Sequence, residues 1–171
     1  MLAALLLTVA LGAAPDLTRE EALGLVFPGA AITDERIFLT AAQQARATSL
    51  AGEGIPSALV ARYTASRDGQ IVGRAYIDTN VVRTKKETLL VSLDARGRVK
   101  RIDVTAFLEP AEYTPPRPWL GQYSNRELDD EVAVNRAIRP IAGATLTARA
   151  VNAAVRRVMA IDEVLREAGS R

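Results

Sequence analysis

Near its C-terminus the chain carries Val151, Ala154, Val155, Val158, Ile161 and Leu165 at the three- and four-residue spacing of one helix face. That spacing predicts a helix over residues 147–167, with Arg149, Asn152, Arg156, Glu163 and Glu167 elsewhere around it and in water. From residue 58 the period shortens to that of strands. Residues 58–65 and 70–82 flank Arg67-Asp68-Gly69, a hairpin-turn signal, and residues 87–93 and 99–108 flank a second turn that contains Gly97. In the last of these runs Ile102, Val104, Ala106 and Leu108 alternate with Arg101, Asp103, Thr105 and Phe107, as expected of a strand with one face in the core. Ahead of the strands, Thr18 with Glu21 and Thr40 with Gln43 have the spacing of capping boxes. They predict a short helix through Ala22, Leu23, Leu25 and Val26, stopped by Phe27-Pro28-Gly29, and another over residues 41–50, closed by Gly52, Gly54 and Pro56. Residues 125–132 read as one or two polar helical turns. The expected class is α+β: an antiparallel β-sheet of two hairpins with a long C-terminal helix packed on it and short N-terminal helices.

Composition narrows the chemistry more than the fold. A chain of 171 residues is one domain in size. A formal charge of +2, with no run of interleaved basic and aromatic residues, gives no reason to expect a nucleic-acid partner. With no cysteine there is no disulfide, thiolate zinc site or iron–sulfur cluster, and with no histidine the usual general base and haem ligand are missing as well. Chemistry must rest on carboxylates, hydroxyls, Lys or Arg, or on a borrowed cofactor. No Asp-x-Asp-x-Asp-Gly loop is present to hold calcium.

Residues 1–14 carry no charged side chain, and Pro15 and Asp16 end the run. The stretch has the apolar core and small-residue exit of a secretory signal peptide. It falls short of the roughly 20 apolar residues that span a bilayer. We expect a signal peptide or an N-terminal anchor over 1–14 and one domain over 15–171, the plainer alternative being a buried N-terminal helix.

Three stretches could bind a ligand. Ala142, Gly143 and Ala144 leave the backbone open to close approach, and Thr145 and Thr147 set two hydroxyls at the mouth of the final helix. A helix mouth offers free N–H groups and partial positive charge, which suit a phosphate. The plain alternative is a threonine N-cap. Residues 82–88 alternate hydroxyls and cations, among them Thr84 and Lys85, fit for a phosphate or an anionic ring, or simply for a solvated turn. Half of the eight prolines fall within residues 110–118, beside the single tryptophan, Trp119, and Tyr113. Such a stiff segment would present aromatic faces and Glu109 to a flat ligand, or would strap a loop over the sheet with Trp119 as anchor. Glu109 and Glu112 also form a candidate acid–base pair.

Gly143-Ala144-Thr145-Leu146-Thr147 ahead of a helix resembles the Ser-Gly-Ala-Thr-Leu-Thr signature of the FMN-binding domain family. Phe27-Pro28-Gly29, Arg83-Thr84-Lys85, Glu109-Pro110 with Tyr113, and Trp119 extend the resemblance over essentially the whole mature chain. The resemblance implies a single FMN-binding domain, with FMN held covalently, as a phosphodiester to Thr145. Gly143, Ala144, Leu146 and Thr147 would make the phosphate cradle, Thr84 and Lys85 further contacts, and Glu109, Tyr113 and Trp119 the ring side. It implies a flavin transferase for maturation and a membrane-bound or periplasmic redox partner. The chain would then be an exported electron carrier, in the bacterial periplasm or on the outer face of the inner membrane, without a substrate of its own. Where the family's motif has Asp and then Ser or Thr, this chain has Arg139 and Ala142. Those two residues favour the alternative, an exported binding or assembly module of the same fold without covalent flavin.

Overall fold

The computed structural model describes residues 17–169, so the 1–14 stretch lies outside the described residues. In chain order the elements are α1 (Arg19–Val26), β1 (Ala31–Phe38), α2 (Ala41–Ala51), β2 (Leu59–Arg67), β3 (Gln70–Val81), β4 (Lys86–Asp94), β5 (Val99–Phe107), the short α3 (Arg117–Leu120) and α4 (Thr145–Gly169). The fold is α+β. Both capping boxes form: the Thr18 hydroxyl accepts from the Glu21 amide at 3.2 Å, and the Thr40 hydroxyl from the Gln43 amide at 3.2 Å.

The strands make one antiparallel sheet in the order β1-β2-β3-β4-β5, each hydrogen-bonded to its neighbours in sequence. Five strands stand where the sequence pattern predicts four. The extra one, β1, is an edge strand with most of its side chains exposed, so its residues never alternate apolar with polar. In β5 the expected alternation is broken too. Register shifts opposite Thr88/Leu89 and Ser92/Leu93 leave Asp103 buried, while Leu108 falls beyond the strand and is exposed. Residues 125–132 form turns and no helix; the Asp129 carboxylate accepts the amides of Glu131 and Val132 at 2.9 and 3.0 Å.

Each face of the sheet has its own core. On one face α1 buries Ala22, Leu23 and Val26, followed by Phe27, against Tyr63, Ala65, Ala75 and Leu90. Gly73 permits this contact, because a Cβ there would meet the Phe27 ring at 2.3 Å and the Leu93 carbonyl at 2.5 Å. The larger core lies between the other face and α4, with α2 beside it; Val151, Ala154, Val155, Val158 and Ile161 are buried there as predicted. Burying this much apolar surface is the main force holding the helix on the sheet.

The spacing mistook two polar positions of α4. Asn152, expected in water, is buried and accepts from the Tyr123 hydroxyl at 3.1 Å. Arg156 donates to the carbonyls of Ala51, Asp129 and Val132 at 2.6, 2.6 and 3.1 Å, tying the end of α2 to the 129–132 turns. Two ion pairs fix the helix along β3. Arg157 grips Asp78 in two hydrogen bonds of 2.9 and 2.7 Å, and Asp162 is held by Arg74 and by the Tyr76 hydroxyl. Helix numbers rise as strand numbers fall, so the start of α4 must lie beside the far end of β3 and the turn into β4.

Candidate functional site

At that junction the structure has an open cavity of about 200 Å³, lined by Val82 and Arg83 from the β3–β4 turn, Glu109 and Tyr113 after β5, and Gly143 to Thr147. Of the residues singled out from the sequence, Thr145, Gly143, Ala144, Leu146, Thr147, Glu109 and Tyr113 meet here. Thr84 and Lys85 stand in the adjoining turn outside the lining. Trp119 is elsewhere. Its indole donates to the Arg139 carbonyl at 2.6 Å and meets Tyr123 edge-on at 5.7 Å in the buried core. The ring-side expectation for Trp119 thus gives way to the other reading of the segment, an anchored strap, because the bulkiest apolar side chain gains most from full burial.

The approach to the helix is a tight turn. The Ala144 amide donates to the Ile141 carbonyl at 3.1 Å, with Gly143 at φ +76° between them. That backbone angle, and not a close approach, is what calls for glycine: the space a Cβ would enter is open. The Ala144 carbonyl accepts the Ala148 amide at 3.0 Å, so Ala144 holds the capping position and α4 begins at Thr145, two residues earlier than predicted. Neither threonine is therefore the N-cap. Thr145 is exposed as the first helical residue, Leu146 is 43% exposed, and Thr147 is buried. The amides of Thr145, Leu146 and Thr147 precede the first one bonded within the helix and are the donors a helix start leaves over.

Across the cavity, Glu109 organises the opposite wall. Its Oε1 accepts three consecutive amides, Arg83 at 3.2 Å, Thr84 at 2.7 Å and Lys85 at 2.8 Å. The Thr84 and Lys85 amides hold its carboxyl below the usual carboxylate range. Of the Glu109–Glu112 pair, only Glu109 lines the cavity; Glu112 is exposed on the neighbouring turn, and the three amides on Glu109 Oε1 favour its ionised form.

Sequence reasoning passed over Arg83. Its guanidinium carbon sits 5.0 Å from the centroid of the Tyr113 ring, a cation–π arrangement on the cavity wall. The cationic run in 82–88 was visible, but nothing in it distinguished Arg83 from Lys85. The distinction depends on Tyr113, thirty residues later in the chain.

Glu87, the second residue of β4, is fully buried. Neither of its oxygens makes a hydrogen bond of good geometry among the described residues; burial pushes its carboxyl up to about 7, with the neighbouring Asn80 amide opposing the shift only in part. No group of side chains among the described residues is arranged to hold a metal ion, and no described helix is long and apolar enough to cross a membrane.

The chain matches no family model, no curated protein and no solved structure. What the site can hold follows from its own residues.

A phosphate fits the cavity: unbonded amides at a helix start, an exposed hydroxyl on the first helical residue, and a cation on the facing wall. A whole flavin exceeds about 200 Å³. Its ring would have to extend outside, where Val81, Leu108 and Leu146 are exposed next to lining residues.

Proposed function

We propose that this protein is an exported flavoprotein electron carrier, with FMN attached through its phosphate to the hydroxyl of Thr145. The observation that carries this reading is the place of Thr145, exposed at the first position of a 25-residue helix and opening onto a cavity with a cation opposite. The helix-start amides of Thr145, Leu146 and Thr147 offset the phosphate charge, and the helix dipole has the right sign to help. Gly143 sets the turn that brings Thr145 to the cavity. Leu146 gives an apolar shelf at the rim, and Thr147, buried beneath, holds the helix start in register. FMN supplies the electron-transfer chemistry, which needs no histidine or cysteine from the chain.

In making the bond, the Thr145 hydroxyl loses its proton and its oxygen becomes the ester oxygen on phosphorus. A flavin transferase supplies the activated flavin nucleotide and takes away the displaced nucleotide portion. A membrane-bound or periplasmic redox partner then exchanges electrons with the carrier, which acts on no substrate of its own.

An exported binding module of the same fold, without covalent flavin, is the second reading. Arg139 and Ala142 favour it, since both are exposed on the approach to Thr145 where a transferase would read the chain. Co-expression of the mature chain with a flavin transferase in the periplasm separates the two. The carrier reading expects an intact-mass increase and in-gel flavin fluorescence after denaturation, both lost in Thr145→Ala. An unmodified, colourless chain that also fails to bind free FMN would sink it.

A further inference from the structure

We propose that Arg83 is the residue by which this site selects a phosphate-bearing flavin over one without phosphate, and that Glu109 is the positioning residue that aims it. The inference rests on the flavin reading above and goes beyond it, because covalent attachment at Thr145 does not require a cation at residue 83.

Charge balance on the cavity wall is the first ground. Arg83 is the arginine of the cavity lining, and it makes no ion pair among the described residues. The carboxylate nearest in the wall is Glu109, and one of its oxygens is already taken by the amides of Arg83, Thr84 and Lys85. Glu109 therefore grips the backbone under Arg83; the guanidinium charge helps to keep the carboxyl ionised, but no side-chain hydrogen bond ties the two, and the N–H donors of Arg83 stay open to a ligand.

The second ground is how the guanidinium is held. Its carbon lies over the Tyr113 ring at 5.0 Å, which restricts where the group can sit, and none of its N–H donors is taken by a hydrogen bond among the described residues; a guanidinium can offer two of them to two oxygens of a phosphate at once. Three amide bonds to one carboxylate oxygen hold the residue's main chain, so little freedom is left to lose on binding. Lys85 and Lys86 are also exposed in this turn, yet neither lines the cavity. A phosphate seated between the helix-start amides and Arg83 meets charge-assisted donors from both walls. Riboflavin, which lacks the phosphate, would leave those donors without a partner.

The test uses the wild-type mature chain made without any flavin transferase, titrated with FMN and with riboflavin by quenching of flavin fluorescence. FMN should bind about 10- to 100-fold more tightly than riboflavin, the value of a charge-assisted hydrogen-bond pair. Arg83→Gln should reduce that preference to within a few-fold without weakening riboflavin. Arg83→Lys should recover only part of it, since a lysine keeps the charge and loses the two-pronged, stacked geometry. Glu109→Gln should lower the preference with Arg83 still present, and circular dichroism would confirm that each variant is folded. An FMN-to-riboflavin ratio unchanged in Arg83→Gln overturns the inference and leaves the flavin reading standing. If the wild-type chain binds neither flavin, the inference is overturned as well, and the flavin reading is then decided separately by the co-expression experiment.

Discussion

The two ends of α4 are built on opposite rules. Toward its C-terminal end, Asp162 is completely buried and every nearby charge is answered. Arg74 and Arg166 donate to it, the Tyr76 hydroxyl donates at 2.8 Å, and Arg74 reaches on to the Ala95 carbonyl at 3.1 Å. At the N-terminal end, Arg83 makes no ion pair among the described residues, the first amides of the helix have no internal acceptor, and Thr145 is exposed where it lines the cavity. A network satisfied by the protein's own groups has nothing left to offer a ligand. Donors and a cation left over at a cavity do. Both ends hold arginines against the sheet, and it is the count of partners, not the residue type, that separates scaffold from site.

Removing the scaffold end should cost most. Asp162→Ala leaves Arg74 buried without its counter-charge, and loss of one partner of a buried pair costs about 3–5 kcal/mol. Urea denaturation should register that loss; a change under 1 kcal/mol would mean that the network contributes little and the contrast between the ends is false.

Glu87 breaks the pattern and so sharpens it, being buried without a hydrogen bond of good geometry. Its carboxyl titrates near 7 in the folded chain, against an ordinary value of 4.5. The folded state therefore takes it protonated, and stability falls as pH rises from about 4.5 to about 7, after which the loss is complete. Glu87→Gln, neutral at every pH, should match the wild type near pH 4 and exceed it at pH 8 by roughly 3 kcal/mol. Melting curves across that range decide the matter, and a gain that did not depend on pH would contradict it.

The smallest effect on folding belongs to the site end. Thr145→Ala removes an exposed hydroxyl and should change unfolding free energy by less than about 0.5 kcal/mol, and Arg83→Ala, which gives up only an exposed contact with the Tyr113 ring, by less than about 1 kcal/mol. The same substitutions should, respectively, abolish flavin attachment and reduce the phosphate preference to within a few-fold. A loss of several kcal/mol in either would reassign that residue to the scaffold.

Local rules were read correctly where the chain's own neighbours decide the outcome. Both capping boxes, the turn at Asp68 and Gly69, four of the five strands and the buried stripe of α4 are set by residues a few positions apart, and their spacing is visible in one dimension. The helix mouth at Thr145 was legible for the same reason, as was the α+β class. Where contacts span the chain, spacing had no say. Strand β1 is an edge without a buried face. Asn152 and Arg156 look like wet helix positions until the Tyr123 hydroxyl and the carbonyls of Ala51, Asp129 and Val132 come to meet them. Trp119, which composition marks for a ligand, spends its ring on the core.

The candidate site divides along the same line. The Thr145 hydroxyl proposed for attachment, the glycine turn and the helix start lie within five consecutive residues and belong to the sequence alone. Its cation depends on Arg83 meeting Tyr113 and on Glu109 reaching back to the amides of 83–85. Only the packed sheet brings those segments together. A hydrogen-bond donor becomes a recognition element when the fold leaves it unanswered, and that depends on all the surrounding groups at once.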